Sequence, residues 1–216
     1  MNNKHVFWQA FIVASLIFWT GLLIGVFFET NRVNTLTQVN SDFETDLFDF
    51  DMLANLFFDS GLSCTETHRQ LIFFADKIYE GALKLEQEDS SNKIIFDLVQ
   101  LHRRYDLLRV RLWSEAIKSN KNCGKKINTA VYFYRYNSPS LTTKGVQGAM
   151  SNFLLDLKSK YQDNLILIPI AVDTNLESLN YMMRDYNVTS SPSILINEKY
   201  KFETLDSLKD VEKNIK

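Results

Sequence analysis

Cys64 and Cys123 are the only thiols in this chain of 216 residues. Two cysteines that far apart can form a structural disulfide or serve as a thiol–disulfide exchange pair. Two hydroxyl-rich stretches are the other candidates for chemistry. One is "NSPSLTTKGVQG", with Ser138, Ser140, Thr142 and Thr143; the other is "VTSSPS", with Ser190, Ser191 and Pro192. Asp49 and Asp51 suggest a metal site at first sight, but they point to different helix faces and no third ligand accompanies them. His68 and His102 stand alone on their helices, and Arg103 and Arg104 read as a solvated face. No metal or cofactor is expected. A net charge of -2 and the lack of a basic, aromatic-interleaved stripe give no case for nucleic acid.

The elements that must hold these residues begin with a membrane-length segment. Val6 to Phe28 carries no charge and only Gln9, Ser15 and Thr20 as polar interruptions. As a helix it spans roughly 35 Å, enough for a hydrocarbon core of about 30 Å. A cleaved signal peptide is the rival reading. It would have a shorter apolar stretch and a small-x-small cleavage site, whereas "GVFFETNR" follows here. The expected partition is a cytoplasmic tail at 1–5, a membrane anchor through the lipid bilayer at 6–28 and a linker at 29–40. Lys4 before the span and Arg32 after it set the N-terminus inside and the rest extracytoplasmic. Gly21 and Gly25 form a Gly-x-x-x-Gly, a weak pointer to a homodimer.

A helical region is expected at 41–123. No proline precedes Pro139, and "SDFE" (41–44) and "SCTE" (63–66) both match the Ser-x-x-Glu capping box. Gly61 stands where the first of these helices should stop. Apolar residues step by three and four along Phe43, Leu47, Phe50, Ala54 and Phe57. The same step runs along Leu71, Ala75, Ile78, Ala82 and Leu85, and along Ile94, Leu98, Leu101, Tyr105, Leu108 and Leu112. Helices near 41–59, 64–88 and 91–119 follow, the last two joined by "EDSSN" and hence antiparallel. That pairing brings Cys64, at the start of one helix, beside Cys123, just past the end of the other. A structural staple in an oxidising compartment is the reading, with a redox-active pair as its rival.

After Gly124 the pattern changes to "INTAVYFYRY" as a strand and a helix with Val146, Met150, Phe153, Leu157 and Tyr161 on one face. Then come the apolar strand "LILIPIAVD", a helix in "NLESLNYMMRDYN", a strand–turn–strand in "SILINEKYKF" and a closing helix in "SLKDVEKNI". This β-α-β-α-β-β-α order over residues 126–216, with a proline loop directly before the third strand, resembles the thioredoxin-like superfamily. The resemblance implies an α/β thioredoxin-like C-terminal domain behind a helical region and one N-terminal transmembrane helix. It also implies a cis bond between Ser191 and Pro192 and an edge position for the second strand, where Pro169 is tolerated.

The family's redox pair, however, would lie in the 137–148 window. There Ser138, Ser140, Thr142 and Thr143 stand with no sulfur, a degenerate active-site loop. Hydroxyls cannot form the mixed disulfide that exchange requires. What remains is the loop's capacity to pair its backbone with an extended chain. The expected function is therefore a redox-inactive module, not an enzyme, that binds a peptide or protein through Ser190, Ser191 and Pro192. The alternatives are an oxidoreductase that uses Cys64 and Cys123, or a purely structural envelope protein. Asn187-Val188-Thr189 also matches a glycosylation acceptor.

Overall fold

The computed structural model describes residues 3–59, 63–89, 95–124, 126–138 and 140–215, without the side chains of 3–5, most of those between 32 and 62, or those of 84–98. The expected stripe from Phe43 to Phe57, the Gly61 stop and most of the "EDSSN" connection lie outside this description. The chain divides into two compact units, Met1–Asp49 and Phe50–Lys216.

One helix, α1, runs over Asn3–Asp59. This corrects the expected helix start at Ser41. No glycine or proline falls between Gly25 and Gly61, so nothing forces a break. A capping signature opens a helix only where the preceding backbone leaves it. Within α1, Val6–Asn31 is long and apolar enough to cross a membrane, and none of it is buried.

The second unit is mixed α/β. Helices α2 (Cys64–Asp89) and α3 (Ile95–Asn122) precede strand β1 (Asn128–Tyr134). Helix α4 (Leu141–Tyr161), strand β2 (Leu165–Ala171), helix α5 (Glu177–Asp185) and strands β3 (Ser193–Ile196) and β4 (Tyr200–Phe202) follow. The sheet order is β2-β1-β3-β4, with β1 parallel to β2 and antiparallel to β3. Pro169 therefore sits on an edge strand, where a missing N–H is tolerated. The expected closing helix is instead two 3-10 turns, Leu205–Asp210 and Glu212–Asn214. Leu208 and Val211, three apart, are both buried, and a three-residue repeat keeps them on one line.

Alternation along the strands splits the core in two. Ala130, Tyr132, Leu165, Ile194 and Ile196 pack with Met150, Leu154 and Leu157 of α4 and with Leu208, Val211 and Ile215. The residues between them on the strands, Val131, Phe133, Ile166, Ile168, Ile170 and Leu195, are fully buried as well. Trp113 of α3 meets Phe133 edge-on at 5.7 Å, and α3 packs on β1 and β2. Over their described members the α2 and α3 stripes appear as expected, with Leu71, Ile78, Leu101, Tyr105, Leu108 and Leu112 buried and Ala75 and Ala82 half-buried, while the side chains of Leu85, Ile94 and Leu98 lie outside the description. Gly81 allows α2 its close approach, since a Cβ there would meet Tyr105 Cε1 at 2.7 Å.

The "SCTE" box is half formed. Glu66 N–H donates to Ser63 Oγ at 3.4 Å. The Glu66 carboxylate accepts from Arg69 and Gln70 rather than reaching back.

Candidate functional site

The helical hairpin joins the cysteines: Cys64 and Cys123 form a disulfide with Cα atoms 5.6 Å apart. Its place relative to the loops is fixed by the chain. Asn120 closes the segment after α3 by accepting from Ile127 N–H and donating to Ile127 carbonyl, both at 2.8 Å. Cys123 is thereby held at the N-terminal end of β1, whereas both hydroxyl-rich loops lie at the other end of that strand. Seven strand residues, about 20 Å, separate the disulfide from them.

At the C-terminal end of β1 the chain turns into α4. Ser140 caps that helix, its Oγ accepting from Thr143 N–H at 3.1 Å and lying 2.9 Å from Thr143 Oγ1. Ser138 Oγ donates to Ser140 carbonyl at 3.4 Å. Thr142 is exposed on the first turn. Gln147, one turn further, grips Arg135 on both sides: it accepts from Arg135 N–H at 3.0 Å and donates to Arg135 carbonyl at 3.1 Å. Asp173, just beyond β2, accepts from Tyr136 N–H and Asn137 N–H, each at 2.8 Å. The ring of His102, on α3, lies 4.2 Å from that of Tyr136.

The second loop enters β3. The Ser191–Pro192 bond is cis, and Ser193 Oγ donates to Ser190 carbonyl at 2.7 Å. Because Ser193 pairs with Phe133, this loop lies beside the β1–α4 turn. Arg135 Nε donates to Ser191 Oγ at 3.3 Å and ties the two loops together. Ser138, Ser140 and Thr143 thus form one cluster and Ser190, Ser191 and Pro192 another, with Arg135 as the link. Among the described residues, no hydrogen bond engages the backbone N–H or C=O of Thr189 or Ser191. Asn187 and Thr189 are exposed, while Val188 between them is buried.

Sequence reasoning missed the groups beneath this surface. Asp106 of α3 is 1% exposed. Its Oδ1 accepts from Arg109 at 3.0 Å and from Ala171 N–H at 3.3 Å, while Oδ2 has no partner among the described residues. Burial pushes the carboxyl up to about 6, against the opposing pull of Arg109, Ala171 N–H and Thr174. Arg109 is also buried, and its charge opposes the burial that raises the Tyr134 hydroxyl. The sequence does hold a signal here: a charged pair three apart, flanked by the apolar residues Tyr105 and Leu108. Asp173 had one too, as the first acid after a wholly apolar strand. No group of His, Cys, Asp and Glu suited to a metal ion occurs among the described residues.

No protein-family model, curated protein or solved structure matches the chain.

Proposed function

We propose that this chain is a membrane-anchored, extracytoplasmic, thioredoxin-like protein, redox-inactive in its C-terminal domain, that binds an extended peptide or protein segment. The observation that carries this reading is the unengaged backbone of Thr189 and Ser191 beside the proline turn that leads into β3. A strand-like ligand pairs with such groups through main-chain bonds. Arg135, exposed and tied to Ser191, borders the same backbone. The element order and the sheet order support the thioredoxin-like reading. Residues 6–28 serve as the anchor, and the Cys64–Cys123 disulfide suits an oxidising compartment. That disulfide is read as a staple, because β1 stands between it and the loops.

The test uses the full chain in native membranes, with a photo-crosslinking residue at Thr189 and, as control, at Lys209 on the 3-10 turn. A discrete adduct at 189, absent at 209 and lost when Ser191→Pro removes the N–H, is the expected outcome. Equal labelling at both positions would sink the reading. Insulin reduction should be absent throughout, and measurable turnover would overturn the redox-inactive assignment.

A further inference from the structure

Asp106 has a peculiar set of partners for a carboxylate with no exposed face. One oxygen takes both hydrogen-bond donors: Arg109 from its own helix and Ala171 N–H from the last residue of β2. The other oxygen is buried without a partner among the described residues. The turn it holds is the one that positions the candidate site. Val172 N–H donates to Tyr134 carbonyl at 2.8 Å, Thr174 Oγ1 donates to Ala171 carbonyl at 3.0 Å, and Asp173 carries the amides of Tyr136 and Asn137. Arg103 Nη2 adds a bond to Asn175 carbonyl at 3.2 Å. One face of α3 thus grips the segment 171–175, and that segment grips the start of the β1–α4 loop.

We propose that Asp106 is a proton-operated catch on this loop: ionised, it holds the 171–175 turn and, through Asp173, the Tyr136–Asn137 backbone; protonated, it releases them. The physical reason lies in the asymmetry of its two oxygens. Bonds to an ionised acceptor are roughly twice as strong as neutral ones. A proton placed on the empty Oδ2 turns Oδ1 into a weaker, carbonyl-like acceptor, and it strips the buried Arg109 of its counter-charge. Both losses fall on the bonds that cross from α3 to the turn.

The charged surroundings are sparse. Strand β2 carries no titratable side chain, β1 contributes Tyr134, and the turn contributes Asp173. From α3 itself come Arg109, Arg103 and His102. On α5, Glu177, Arg184 and Asp185 are exposed, as are Arg69, Asp76, Lys77 and Glu80 of α2, which also carries the half-buried His68. Arg109 is the charged group whose field reaches Asp106.

The sign of the linkage separates release from unfolding. The carboxyl is raised to about 6 from 3.8, so the folded state binds this proton more readily than the unfolded chain does. As far as this group is concerned, stability rises as pH falls through that window. The protonated form is therefore folded, and the proton favours the loosened loop because Asp106 stays enclosed while it gives up the Ala171 N–H bond that lowers its pKa.

The inference stands whether or not the loop binds a peptide, and its readout needs no ligand. Hydrogen exchange of the full chain in detergent micelles, corrected for intrinsic rates, should show the 135–140 and 171–175 segments at pH 5 and pH 7. Their protection relative to β1 should fall at least about threefold at pH 5, and Asp106→Asn should abolish the difference. A pH-independent ratio in the wild type would overturn the proposal. So would a difference that survives in Asp106→Asn, which would assign it to His102. Should that variant fail to fold, carbon-13 titration of the Asp106 carboxyl in the wild type is set against the exchange data: a loss of protection that shares the carboxyl's midpoint supports the catch, and midpoints more than about one pH unit apart refute it.

Discussion

Glu198 sits in a backbone conformation that favours glycine or asparagine, with φ of 56° directly after Asn197 at 51°. Two such residues make the tight turn that suits a β-hairpin, and Lys199 N–H closes it on Ile196 carbonyl at 3.1 Å. What keeps a glutamate there is its side chain. Its Oε1 accepts from Trp113 Nε1 at 3.0 Å and from Thr129 Oγ1 at 2.7 Å, both fully buried residues. Glu198→Ala should leave both donors orphaned and keep the strained φ, at a cost of at least about 2 kcal/mol, measured by chemical denaturation of the full chain. Glu198→Gln, which retains an acceptor, should cost much less. Burial raises the Glu198 pKa, so this group's contribution to stability falls as pH rises from the ordinary carboxylate range through the raised folded value. The glutamine variant should lose that part of the pH dependence. None of this was legible in "INEKY", which reads as a polar turn, because the partner indole is 85 residues away. The proline turn and the cysteine pair were legible because their signals are local or follow from helix order.

At the scale of elements, the α2–α3 hairpin is tied at one end by the disulfide and packed along its length, where Gly81 admits the Tyr105 ring. The cross-link encloses a sequence separation of 59, and on the chain-entropy model such a loop is worth roughly 4 kcal/mol. Cys64→Ser should lower the melting temperature of the oxidised chain by an amount consistent with about 2–5 kcal/mol. An unchanged melting temperature would show that the helix contacts suffice alone. Alternation and heptad-like stripes made α2, α3, α4 and the strands readable in advance. The helix start expected at Ser41 failed because a capping box records only that a helix could begin there. The closing helix failed because Leu208 and Val211 satisfy both a 3-10 and an α repeat over so short a segment.

For the whole molecule, the decisive contrast is between a compact α/β unit and the segment Val6–Asn31. That segment leaves Phe7, Trp8, Ile17, Phe18, Leu23 and Phe28 each at least 62% exposed. A water-soluble chain rarely presents apolar surface on that scale, whereas a hydrocarbon core accepts it on all sides of a helix. A removed signal sequence and a retained anchor share this composition, and they differ in what remains attached. The retained anchor predicts that the mature chain keeps residues 6–28 and stays with the membrane after alkaline extraction, while externally added protease reaches the α/β unit in intact cells. Intact mass and extraction together check this. A mature chain beginning near Glu29 and recovered in the aqueous fraction would establish a signal sequence, and full protection from protease would reverse the orientation.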